Sequence, residues 1–377
     1  MSQSAQPKFA IQSVVPDLPE PADYLPWLER MHQSGYYSNF GPLCREFSHR
    51  MLGEFGSDAE ECVPCGSATA GLSAALVACK VERPVLIPAF TFPATLSAVR
   101  AAGLEAIVMD VASDDWVPHP DQVDEALTMS GAGAIILVAP FGIRFDFSVH
   151  IDVCRRHGAI IIIDCAAGMG VPRVNFCEAA DLFEVFSLHA TKPFGVGEGG
   201  LVFCHSSRRD AVQSALNFAL SSYQSEAGPH WGFNGKISEM HIAVALAQLE
   251  RYRGVIARRQ LFAKACFAML TQFSTLVTPA QDSIAPWQIF PVAMPSERAA
   301  DLFVENAGSE GMEIRRYYRP SLSRWPRVRL VGACPISEDL AARMVALPVR
   351  GSATAVEAQP ILDRLSSSLR YTLNRIE

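Results

Sequence analysis

The run Ala159-Ile160-Ile161-Ile162-Ile163 is apolar at every position and ends on Asp164. Its length suits a strand, and an unbroken aliphatic strand needs cover on both faces of its sheet. Parallel sheets meet that need, because their crossover helices lie on the faces. Further strand-like runs recur at 85–87, 104–110, 134–139, 183–187 and 201–204. Helical spacing between them predicts helices over 68–79, 93–102, 121–129 and 148–157. The alternation predicts an α/β fold with a mostly parallel sheet covered by helices.

After Asn234-Gly235 the texture changes. Met240, Ala243, Leu246, Ala247 and Leu249 give apolar helical spacing over 238–252, and a second helix is expected over 257–273. From about Thr275 onward, short strands and helices mix with frequent prolines, the pattern of a smaller α+β domain. The expected division is an N-terminal segment (1–33), a large domain (34–252) and a small C-terminal α+β domain (253–377).

Bulk properties exclude some partners. The net charge of −7 and dispersed arginines leave no basic footprint for nucleic acid or an anionic membrane. The first ten residues lack the apolar core of a signal peptide, and no aliphatic run approaches a membrane span. Ten cysteines in a chain of 377 residues suit reduced thiols, so a cytoplasmic protein is expected. Cys62 and Cys65 form a C-x-x-C, but no second pair follows at metal-site spacing. They read as structural thiols, and no metal site is expected.

Lysine is scarce. Of 32 basic residues only five are lysines (Lys8, Lys80, Lys192, Lys236 and Lys264), leaving 32 − 5 = 27 arginines. Lys192 sits between a strand-like run and a glycine-rich loop, in Ser187-Leu188-His189-Ala190-Thr191-Lys192-Pro193. Lysine offers an amine that forms a Schiff base, which arginine cannot. The following Gly195-x-Gly197-x-x-Gly200 matches a dinucleotide fingerprint literally. That fingerprint follows a strand and opens a helix, whereas this one follows a loop and precedes a strand. It reads as a turn that lets backbone approach closely.

Asp164, at the carboxyl end of its strand, lies where open α/β sheets bind ligands. Taken alone it is equally a strand-ending turn residue. Paired with Lys192 it suits pyridoxal 5′-phosphate, which needs an amine for its aldehyde and a carboxylate for its ring nitrogen. Cys65-Gly66-Ser67-Ala68-Thr69-Ala70-Gly71-Leu72 introduces a helix whose free N–H groups attract a phosphate. Ser187 can add a hydroxyl there, and Phe92 can stack on a flat ring; taken alone, the helix start reads as a capped helix with small packing residues and Phe92 as a core residue.

These segments together resemble the DegT-type nucleotide-sugar aminotransferases, fold-type-I enzymes of the aspartate aminotransferase superfamily. The likeness runs in order over residues 34–349. It begins at Ser34-Gly35-Tyr36-Tyr37 and passes through Pro88-Ala89-Phe90-Thr91-Phe92-Pro93-Ala94-Thr95 and Ile163-Asp164-Cys165-Ala166-Ala167. It continues in Ser187 to Lys192 and Gly232-Phe233-Asn234-Gly235-Lys236. The resemblance implies that Lys192 is the Schiff-base lysine and Asp164 the partner of the ring nitrogen. Phe92 would stack on the ring, and Thr69, Ala70 and Ser187 would bind phosphate. It further implies that Asn234 and Lys236 reach a neighbouring subunit's cofactor phosphate, so a homodimer is expected. His189 and Tyr317 are candidate substrate contacts, Tyr317 within Arg315-Arg316-Tyr317-Tyr318-Arg319-Pro320.

The activity implied is transfer of an amino group, with glutamate as donor, to a nucleotide-linked keto sugar. Three positions depart from the family pattern. Ala167 stands where glutamine or histidine is usual, Ser73 where histidine is common, and Pro193 where asparagine is common. Ala167 has no polar atom to offer the cofactor's ring hydroxyl. This leaves two alternatives: transamination of another ketone, such as a cyclitol or antibiotic intermediate, and a non-catalytic binding or regulatory protein on the same fold. Lys192 disfavours the family's dehydratase branch, which carries histidine there.

Overall fold

The computed structural model describes residues 9–222, 228–351 and 355–376. Its helices are α1 (Pro21–Ser34), α2 (Pro42–Phe55), α3 (Ala68–Ala78), α4 (Ala94–Ala101), α5 (Pro120–Ser130), α6 (Ser148–Arg156), α7 (Arg209–Ala215), α8 (Glu239–Leu270), α9 (Glu297–Ser309), α10 (Pro335–Arg343) and α11 (Ala355–Leu373). The strands are β1 (Glu60–Cys65), β2 (Val85–Pro88), β3 (Ala106–Met109), β4 (Ala134–Val138), β5 (Ile160–Asp164), β6 (Leu182–Ser187), β7 (Gly200–His205), β8 (Ile289–Ala293), β9 (Arg315–Arg316), β10 (Arg329–Leu330) and β11 (Met344–Pro348).

Eight strands form the large sheet in the order β1-β7-β6-β5-β4-β2-β3-β10. Only β7 runs against its neighbours, β1 and β6. The remaining pairs are parallel. The isoleucine run shows why cover is needed on both faces. Ile161 and Ile163 pack into a core under α1, α2, α5, α6 and the first half of α8. Ile162 points the other way, into a core under α3, α4 and α7. Cys62 and Cys65 divide between the same two cores, so they lie on opposite faces.

The small sheet, β8-β11-β9, is antiparallel. Its core takes in α9, α11 and the second half of α8. Ile11 joins it by exchanging backbone hydrogen bonds with Gly311 and Glu313. The segment after β9 then returns to the large sheet: Leu322 donates to the Ala89 carbonyl, and β10 pairs with β3.

One sequence expectation needs correction. The two helices read over 238–252 and 257–273 are a single helix of 32 residues, α8. Gly254, placed where a break was expected, lowers helix propensity by about 1 kcal/mol. Packing overrides it: Tyr252, Val255 and Ile256 sit in one core, and Phe262, Ala263 and Cys266 in the other. The division expected at 252/253 therefore falls inside α8. Its first residue, Glu239, also caps α2, accepting the Leu43 and Cys44 N–H groups at 2.8 and 3.0 Å.

A buried ionic triad pins the edge of the sheet. Glu60 on β1 and Glu184 on β6 both bind the guanidinium of Arg173, which also lies 4.2 Å from the Phe203 ring centre. Ligand atoms of Glu60, Cys177 and Glu184 lie within 4.8 Å of one another, but Arg173 takes the place a cation would need. Burial lifts Glu184 to about 7 despite the arginine. Arg173→Met would leave two carboxylates buried together, and should cost about 3–5 kcal/mol in urea denaturation. A carboxyl raised in the folded state favours folding at low pH, and that advantage fades as pH rises through the folded value. The Arg173→Met loss should therefore be smaller at pH 5 than at pH 8.

Candidate active site

The carboxyl ends of β1, β2, β4, β5 and β6 lie along one edge of the large sheet, and a cavity of about 390 Å³ opens there. The large-sheet side lines it with Thr69, Phe92, Asp164, Ala166, Ala167, Ser187, His189 and Lys192. Residues at and around the small sheet close the other side: Gln288, Ile289, Arg315, Tyr317 and Tyr318.

Asp164 ends β5 and is buried. Its Oδ2 accepts the Thr95 hydroxyl at 3.0 Å, and Oδ1 accepts the Ala166 N–H at 3.1 Å. Burial raises its pKa, opposed by those two donors and by Lys192. Lys192 is lowered to about 8, because burial penalises the ammonium more than Asp164 favours it. The two charges share a cavity without forming an ion pair, and the Lys192 amine instead donates to Gln288 Oε1 at 3.1 Å.

At the other end, Ser67 caps α3, accepting the Ala70 N–H on its hydroxyl and the Gly71 N–H on its carbonyl. That leaves Ala68 and Thr69, both lining the cavity, to present the helix's free donors. Ala70 does not line the cavity, and its N–H is already taken. Ser187 is buried beside this helix start, with its hydroxyl accepting the His189 N–H at 3.2 Å. Phe92 exposes 59% of its surface at the cavity, a large value for a phenylalanine in an otherwise buried turn.

The glycine motif has a packing role. A Cβ on Gly200 would meet Ser67 C at 2.5 Å and Ala68 N at 2.6 Å, so only glycine lets β7 pass under the start of α3. Gly197 has φ +115°, a backbone that L side chains rarely adopt. Ser73 spends its hydroxyl on the Ala98 carbonyl at 2.9 Å, joining α3 to α4.

Asn234 and Lys236 do not line their own chain's cavity. Their loop lies just behind the start of α3, where the Gly66 N–H donates to the Gly235 carbonyl at 2.7 Å. Lys236 places its amine 4.7 Å from the Phe218 ring centre. Sequence reasoning missed Thr95, Thr191, Tyr318 and Gln288. Thr95 lay within a recognised segment. Gln288 had no local signal, because its partner lies 96 residues away.

An amine, a buried carboxylate, a hydroxyl and a capped helix start, set round a cavity with Phe92, Val138 and Ala139 on its walls, fit pyridoxal 5′-phosphate. Fold and cavity together define the fold-type-I class of pyridoxal-phosphate enzymes. Residues 22–366 match the sequence profile of the DegT/DnrJ/EryC1/StrS aminotransferase family, and the chain belongs to that family. It is 26% identical to the dTDP-4-amino-4,6-dideoxy-D-glucose transaminase of Shigella dysenteriae, over 97% of this chain and 99% of the relative. The structure of DesI in the presence of its TDP-sugar product superposes with a TM-score of 0.86 at 26% identity, covering 100% of this chain and 97% of DesI. DesV of S. venezuelae shares the fold, with a TM-score of 0.81 at 21% identity over 94% of this chain and 99% of its own.

Gly200→Ala should push the start of α3 out of place and weaken binding of pyridoxal phosphate about tenfold or more, measured by fluorescence titration. Gly53→Ala, whose Cβ meets nothing within 4 Å, is the control and should leave that affinity unchanged.

Proposed function

We propose that this aminotransferase moves an amino group from glutamate to a keto sugar carried on a nucleotide, with pyridoxal phosphate as cofactor. The observation that carries this reading is the meeting of Lys192, Asp164, Ser187 and the start of α3 in one crevice at the carboxyl edge of the sheet. The substrate class draws support from the Shigella transaminase, alignable over almost the whole chain, and from DesI with its TDP-sugar product. Arg315 adds a cation at the small-domain rim for an anionic substrate group, beside Glu313 and Tyr317.

When bound, pyridoxal phosphate supplies an aldehyde for amines and a ring that accepts electrons from a carbanion. Ser187 and the N–H groups of Ala68 and Thr69 would hold its phosphate, where the helix dipole favours a dianion. Asp164 would face the ring nitrogen and keep a proton there; Thr95 and the Ala166 N–H fix its carboxylate for that task. Phe92 would cover one face of the ring. Lys192, lowered to about 8, holds an accessible fraction of free amine near neutral pH. That amine would hold the cofactor's aldehyde and, once an incoming amino group has displaced it, would move the proton at the donor's α-carbon. His189 and Tyr317 line the same cavity and would contact the sugar.

The working unit in this reading is a homodimer with shared sites. Tyr36, Tyr37, Phe218, Leu220, Trp231 and Met240 expose large apolar surfaces around the Asn234–Lys236 loop. Lys236 belongs to that exposed face rather than to its own cavity, which suits a phosphate contact to a second copy. All ten cysteines are unpaired and most are buried, which supports a reducing, cytoplasmic setting. Among the described residues no helix is long and apolar enough to cross a membrane.

Incubation with glutamate and a panel of nucleotide-linked keto sugars should yield an amino sugar from at least one member, detected by mass spectrometry. Turnover of keto cyclitols alone would overturn the substrate class, and no turnover of any ketone would favour a binding role. Mixing Lys192→Ala with Lys236→Ala protein should restore about a quarter of wild-type activity, because half the dimers are mixed and each mixed dimer keeps one intact site. Additive residual activities with no restoration would contradict site sharing.

A further inference from the structure

Gln288 stands one residue before β8, on the small-domain side of the cavity, and is 9% exposed. Its Oε1 accepts from Lys192, and its Nε2 donates to Thr191 Oγ1 at 3.4 Å. Thr191 Oγ1 lies 2.8 Å from His189 Nδ1, and the same nitrogen accepts the Thr191 backbone N–H at 3.2 Å. A ring nitrogen that accepts a backbone N–H carries no proton, so His189 is protonated on Nε2, which faces Glu198 at 3.6 Å. The Thr191 hydroxyl must then donate to Nδ1. It offers Gln288 only lone pairs, so the amide turns its NH₂ toward Thr191 and its oxygen toward Lys192. The direction of each bond follows from the backbone N–H of Thr191.

We propose that Gln288 is the positioning residue for Lys192. Its fixed amide oxygen holds the ε-amine away from an ion pair with Asp164, and ties that amine to the seating of the small domain on the large one. The inference rests on Lys192 as the reacting amine of the proposed function. The oxygen accepts a hydrogen bond from either protonation state of the lysine, and more strongly from the charged one.

The test is the pH dependence of Lys192 acetylation by acetic anhydride in protein freed of cofactor, read by peptide mass spectrometry. The other ionisable groups around the cavity are common to all variants. They are Asp164 on β5, His189 and Glu198 on the lysine's own loop, and Arg315, Tyr317 and Tyr318 on the small-domain side. Gln288→Leu removes the acceptor and should move the midpoint down by about half a pH unit or more. Gln288→Glu, nearly the same shape, sets a carboxylate beside the amine and should move it up by about one unit or more. Thr191→Val should follow Gln288→Leu in direction, and Thr191→Ser should restore the wild-type midpoint. Unchanged midpoints, or shifts of Gln288→Leu and Gln288→Glu in one direction, would overturn the assignment. Opposite shifts in a protein that aminates no nucleotide-sugar would sustain it and count against the proposed substrate alone.

Discussion

A lysine amine and a carboxylate buried in one crevice ordinarily close into an ion pair, which repays part of their lost hydration. Here each charge is engaged elsewhere. Thr95 and the Ala166 N–H occupy Asp164, and Gln288 occupies Lys192. Burial lowers the amine to about 8 against the pull of Asp164, which leaves a usable nucleophile. The carboxylate stays aimed at the cavity, where a ring nitrogen would meet it. The chemistry proposed for this protein depends on that enforced separation.

The fold supplies the separation by drawing on both sheets. Asp164 and Ser187 end neighbouring parallel strands, β5 and β6, so their spacing is set by the ladder. Lys192 follows on a loop folded back by hydrogen bonds between Leu188, Ala190 and the Gly197–Gly199 turn. Gly200 lets that turn pass under α3, so the lysine loop and the anion-attracting helix start share a boundary. Gln288 comes from the edge of the small sheet, whose core α8 shares with that of the large sheet.

Sequence reading reached the parts of this arrangement that obey local rules. The isoleucine run announced a strand covered on both faces, and Asp164 stood at its carboxyl end. Ser67 announced a helix start. β1 was hidden because Glu-Glu-Cys-Val-Pro-Cys lacks the look of a buried strand; Glu60 is buried there against Arg173, far along the chain, with the Ser57 and Cys177 N–H groups on its carboxylate. The unbroken course of α8 was hidden because two separate cores hold the helix across Gly254. The cap that Ser67 makes with the Ala70 N–H was not legible, because a serine hydroxyl before a helix serves a cap and a phosphate equally well. Gln288 obeys no local pattern, and only the packing of two domains brings it to Lys192.

Lys192 is the amine proposed to bond pyridoxal phosphate. Borohydride reduction of the loaded protein, followed by peptide mapping, tests it most directly. The cofactor's mass should appear on the peptide holding Lys192, and on no other lysine. A label on Lys236 or Lys264 instead, or a label that survives Lys192→Ala, would contradict it.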